Sequence, residues 1–98
     1  MSEYGITSVC YNQNDKNKGI KKVKYAFILQ YSVVDLGEKT KEQVVSDIEK
    51  KLNTYYTCID NKKGALVEVV EEANCKYIRT VGNTKKEDNL SELPVYQD

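Results

Sequence analysis

Residues 23–33 read Val23-Lys24-Tyr25-Ala26-Phe27-Ile28-Leu29-Gln30-Tyr31-Ser32-Val33. Val23, Tyr25, Phe27, Leu29, Tyr31 and Val33 are apolar or aromatic, and Lys24, Gln30 and Ser32 alternate with them. A period of two fits a pleated strand, whose successive side chains point to opposite faces, and does not fit a helix. The stretch therefore predicts one long, half-buried strand over 20–34, with Ala26 and Ile28 giving its second face partial cover.

Working outward, residues 4–11 are rich in strand formers and predict a first strand, joined to the long one by the polar, turn-prone run Asn12–Gly19. Asp35–Lys39 reads as a connection to a helix opened by Thr40-Lys41-Glu42-Gln43, which fits a capping box. Val44, Val45, Ile48 and Leu52 recur at helical spacing as its apolar stripe, and Asn53 is the expected stop. Thr54–Ile59, Ala65–Glu72 and Cys75–Val81 read as three further strands. Asp60–Gly64 is the expected five-residue loop between the first two, with Gly64 free to take positive φ. A turn at Ala73-Asn74 places Glu68 opposite Arg79, Val69 opposite Ile78 and Glu71 opposite Lys76. A second capping box at Thr84–Glu87 precedes Leu90, Leu93 and Pro94 and suggests a short C-terminal helical turn. The expected fold is α+β: a five-stranded, mainly antiparallel sheet in the order ββαβββ, with one helix on one face.

Composition bounds the rest. Ninety-eight residues suit a single domain, 1–98, with 1–3 and 95–98 frayed. The longest apolar runs fall far short of the roughly 20 residues a spanning helix needs, and the N-terminus lacks a signal-peptide pattern. No membrane association is expected, and the expected compartment is the cytoplasm. Cys10, Cys58 and Cys75 are too few and too scattered for a disulfide framework, and no histidine accompanies them. They read as reduced, mostly buried thiols. No metal or cofactor is implied, since phosphate loops, GxSxG and Ser-x-x-Lys are all lacking.

The succession Asn53-Thr54-Tyr55-Tyr56-Thr57, Val67-Glu68-Val69-Val70-Glu71, Lys76-Tyr77-Ile78-Arg79-Thr80-Val81 and Asp88-Asn89-Leu90-Ser91-Glu92-Leu93-Pro94 resembles the small bacterial family labelled domain of unknown function 3892. Ile6, Thr7 and Val9 match the first strand of that family. The resemblance is close over residues 40–94. It departs at Ala73-Asn74, where Asn-Gly is commoner, and in the length of strand 20–34. It implies a compact fold and assigns no catalytic residue.

Function is read from what the helix leaves uncovered. Tyr56, Tyr77 and Arg79 share the far sheet face, with Cys58, Leu66, Glu68 and Val70, and are the candidate binding residues. Asp88 and Asn89 are read as helix-end partners rather than ligand contacts. No residue is assigned a catalytic role. The expected function is a non-enzymatic binding or interaction module. Its partner is a protein or a second copy, docked through the open face or an edge strand. Net charge is zero, but residues 1–30 hold five lysines against Glu3 and Asp15, so Lys16, Lys18, Lys21, Lys22 and Lys24 offer a lesser route to nucleic acid. The alternative from another class is a small enzyme using lysine, tyrosine or carboxylate groups on that face.

Overall fold

The structure is a computed structural model, and it describes residues 2–14, 19–29, 32–60, 62–72, 74–81, 90 and 93–97. β1 spans Ser2–Tyr11, β2 Ile20–Ile28, β3 Val33–Thr40, α1 Lys41–Glu49, β4 Asn53–Ile59, β5 Lys62–Glu72 and β6 Cys75–Thr80. The sheet has six strands, not five, in the order β3-β2-β1-β4-β5-β6.

The extra strand comes from dividing the expected long one. Phe27 and Ile28 pair with Val34 and Val33, and the Leu29 amide donates to the Ser32 carbonyl at 2.8 Å. The chain thus folds back on itself within 20–34, and the presumed connection Asp35–Lys39 lies in β3. Apolar alternation persists across this reversal, while the Gln30-Tyr31-Ser32 segment carries no glycine, proline or asparagine to announce it.

The second correction is topological. β4 lies beside β1 and runs parallel to it, Tyr4 opposite Tyr55 and Ile6 opposite Thr57, whereas the other pairings among the six strands are antiparallel. The sheet is therefore mixed. A parallel neighbour cannot be reached by a tight turn, so α1 serves as the crossover from edge strand β3 back to the centre. On its way it covers one face, called here the front. Val44 and Val45 of α1 pack there with Ile6, Val23, Tyr55, Val67 and Ile78.

α1 begins as expected. The Thr40 hydroxyl accepts from the Gln43 amide, and the Gln43 side chain accepts from the Thr40 amide. It ends sooner than expected. Lys51 takes a left-handed conformation (φ 57°), its amide donates to Ile48, and the Leu52 amide donates to Asp47. Those two bonds are the Schellman pattern. Lys51, rather than Asn53, is the stop, and Leu52 is turned out to solvent instead of joining the stripe.

β5 begins at Lys62, which shortens the expected five-residue loop, and positive φ falls on Asp60, not Gly64. Gly64 is needed for a different reason: a Cβ there would lie 2.5 Å from Thr57 Oγ1. The β5–β6 register is the expected one, with Asn74 at φ 64° in the turn. Beyond Ile6, where the β4 register ends, the tail takes the vacated side of β1. The Val9 amide donates to Pro94, and the Tyr96 amide donates to Val9. Leu90 and Leu93 are buried. The described part of the tail shows no helical turn, and the capping box at 84–87, with Asp88 and Asn89, lies outside the described residues. Where the two ends are described they are paired, Ser2 and Glu3 with Asn53 and Thr54, and Val95 with Val9.

Candidate functional site

The front face carries a cluster built from five elements. In the β2–β3 register Lys39 lies opposite the buried Val23, which turns its side chain toward the helix side. Its ammonium donates to Asp47 Oδ2 of α1 and to the Tyr55 hydroxyl of β4, both at 2.9 Å. Asp47 Oδ2 also accepts from the Tyr55 hydroxyl (2.7 Å) and from Asn53 Nδ2 (3.2 Å). Three aromatic rings surround the ammonium, with centroids at 4.9 Å for Tyr25, 5.2 Å for Tyr4 and 5.6 Å for Tyr55. These rings support each other across β2, β1 and β4. Tyr4 meets Tyr25 edge to face at 5.3 Å and Tyr55 at 5.5 Å.

Electrostatics fix the charge states. Burial opposes the ionised Asp47 carboxyl, but hydrogen bonds from Lys39, Tyr55 and Asn53 outweigh it and hold its pKa below the usual value. Burial likewise opposes the Lys39 cation, and its bonds to Tyr55 and Asp47 more than offset that, so its pKa is raised. Burial raises the Tyr55 hydroxyl, and the neighbouring Asp47 adds to the shift. At neutral pH the cluster is therefore a carboxylate, an ammonium and a neutral phenol. Acid–base catalysis needs a group moved toward the working pH, and these groups are moved away from it. The arrangement is suited to holding a cation, each ring contributing on the order of 0.5–2 kcal/mol.

The residues chosen from sequence lie outside this cluster, on the alternate side of their strands by register. Arg79 faces Glu68, with Nε 3.1 Å from Oε1. Tyr56 sits opposite Leu66 and lies under the Lys63 ammonium at 4.3 Å. Tyr77 sits opposite Val70, and the Lys41 ammonium of α1 lies 5.7 Å from its ring. Leu66 and Val70 are four positions apart on β5, about 13 Å at strand rise. Tyr56 and Tyr77 thus share a sheet face without converging on one point.

The lysine group is divided as well. Lys22 pairs with Glu38 at 3.0 Å, Lys24 lies over the Tyr96 ring at 4.6 Å, Lys21 is exposed, and Lys16 and Lys18 lie outside the described residues. Cys10 and Cys58 are buried free thiols, with Cys58 pushed up by burial. Cys75 is free but exposed, because the short β5–β6 turn projects it from the sheet end. A groove of about 440 Å³ lies beside α1 and includes Lys41, Glu42, Glu49, Lys50 and Lys76. Its charges are mixed, and Lys76 already meets Glu49 at 2.8 Å.

The family model described as protein of unknown function (DUF3892) matches residues 5–94, so the likeness reaches well upstream of residue 40. The chain belongs to this family. No curated protein and no solved structure matches it.

Proposed function

We propose that this member of the DUF3892 family is a binding module that docks a second copy of itself through the β2–β3 arm. One observation carries the reading: Phe27, Val34 and Leu36, on two adjacent strands, are 40%, 45% and 37% exposed, and Leu29, just past the end of β2, is 51% exposed. Scattered surface apolar residues need no explanation, but a contiguous group on one arm does. Phe27 and Val34 are directly opposed and share a face.

Several features favour self-docking. The chain has zero formal charge, so two copies meet without net repulsion. The arm carries both signs, Asp35 and Lys24 beside the internally paired Lys22 and Glu38, and a two-fold partner can set opposite charges together. Leu36 bulges out of the β2–β3 ladder, and Gly37 beside it has φ 115°. A bulge on an edge strand spoils regular strand addition, so packing of side-chain faces is the favoured mode.

Sedimentation equilibrium tests the reading. Wild type is expected to self-associate in the micromolar range, and Leu36→Lys to stay monomeric with an unchanged circular dichroism spectrum. A wild-type chain that is monomeric at every concentration would remove the proposal.

A further inference from the structure

The cluster around Lys39 is asymmetric in a way that a simple structural ion pair does not require. Its walls stand on the inner strands β2, β1 and β4, where Tyr4 contacts both Tyr25 and Tyr55 directly. Its carboxylate is held by Asn53 and Tyr55, independently of the lysine. The occupant comes from the periphery. Lys39 belongs to edge strand β3, whose neighbour in the strand order is β2, and stands two residues after the left-handed Gly37 and three after the Leu36 bulge. Its side chain and that of Asp47 keep 20% and 17% exposure, so the pocket has a mouth.

We propose that Tyr4, Tyr25, Tyr55 and Asp47 form a preorganised recognition site for a primary alkylammonium group, and that Lys39 fills it in cis as a plug. The rings attract the positive charge, and Asp47 and the Tyr55 hydroxyl each take one N–H. The two hydrogen bonds select a primary ammonium over a quaternary one, which has no N–H to donate. Displacement of Lys39 leaves Asp47 with its bonds from Tyr55 and Asn53, so the empty site does not collapse into an unpaired carboxylate. A tethered lysine acts at high effective concentration, so an external amine binds wild type only weakly. The inference is independent of self-docking through the β2–β3 arm.

The test uses the full chain with Lys39→Ala, titrated with n-butylammonium chloride against matched sodium chloride and followed by tyrosine ring NMR and thermal melting. Saturable binding is expected, at least tenfold tighter than to wild type, with tetramethylammonium weaker and the response lost in Lys39→Ala combined with Asp47→Asn. Nα-acetyl-lysine methylamide, run in parallel, separates a lysine side chain of a partner from a free amine as the source. If Lys39→Ala alone does not fold, butylammonium is expected to restore its cooperative melt. A Lys39→Ala chain that responds to butylammonium no more than to sodium chloride, folded or not, overturns the proposal. Equal responses from wild type and variant overturn it too, since they would mean surface binding.

Discussion

Gly5 shows how one missing side chain sets the spacing of two strands. A Cβ at this position would lie 2.7 Å from the Cys58 Cβ and 2.9 Å from Ile28 Cγ1 and Cδ1. The Ile28 tip can rotate away, but the Cys58 Cβ is fixed to the backbone of β4. Gly5→Ala therefore forces β1 and β4 apart at their parallel contact, Gly5 opposite Tyr56. Overpacking of this kind costs about 1–3 kcal/mol. The urea midpoint is expected to fall, and adding Ile28→Ala to recover part of the loss relative to the sum of the single effects, because the two sites touch. A Gly5→Ala chain with the native midpoint would show that the strands can slide freely.

At the scale of elements, the helix terminus offers a sharper test. Lys51 holds the left-handed conformation that closes the Schellman pattern, at a cost of about 1–2 kcal/mol for a residue with a Cβ. Glycine removes that strain but adds freedom to the unfolded chain, so Lys51→Gly should gain a net of about 0.5–1 kcal/mol. A loss of stability on chemical denaturation would contradict this account of how α1 ends. The elements also show what the residues do and do not announce. The capping box at Thr40 and the β5–β6 register were legible because both are local: a hydroxyl three residues from an amide, and a short turn that fixes its own pairing. The β2–β3 reversal was not legible, because apolar alternation is the same whether a strand runs on or folds back. Everything placed through that reversal was lost with it. Lys39 read as part of a connection, Asp47 lay off the apolar stripe of the helix, and Tyr25 and Tyr55 read as ordinary strand residues. Only the β3–β2–β1–β4 order brings them to one point. The parallel β1–β4 contact was hidden for the same reason, since no short-range signal specifies which distant strand a crossover reaches.

At the scale of the whole molecule, the same cluster shapes how stability depends on pH. The Asp47 pKa is lower in the folded chain than in the unfolded one. Its contribution is therefore fully present above the unfolded value of about 3.9 and is lost as pH falls through the folded value. Lys39 and Tyr55 are shifted upward. Their contributions are present below their unfolded values, about 10.4 and 10, and are lost as pH rises beyond them. With no histidine in the chain, stability should run flat from about pH 5.5 to 7.5, above which the Cys58 thiol, raised by burial in the fold, begins to weaken it. Glu38 is lowered in the same sense as Asp47, by Tyr96 and Lys22, but it is fully exposed and screened, so it adds little to the acid limb. Asp47→Asn isolates the buried term. The amide cannot neutralise Lys39, so the variant should be less stable than wild type across the neutral plateau. Below about pH 3.9 the unfolded chain takes up a proton at Asp47, and as pH falls on toward the lower folded value wild type progressively loses the same attraction, so the two curves should draw together. Urea midpoints measured at half-unit steps from pH 7 to 2.5 decide the matter. A gap that stays constant to the lowest pH would mean that Asp47 acts through its shape and hydrogen bonds alone, and that charge at this cluster does not hold β3 to α1.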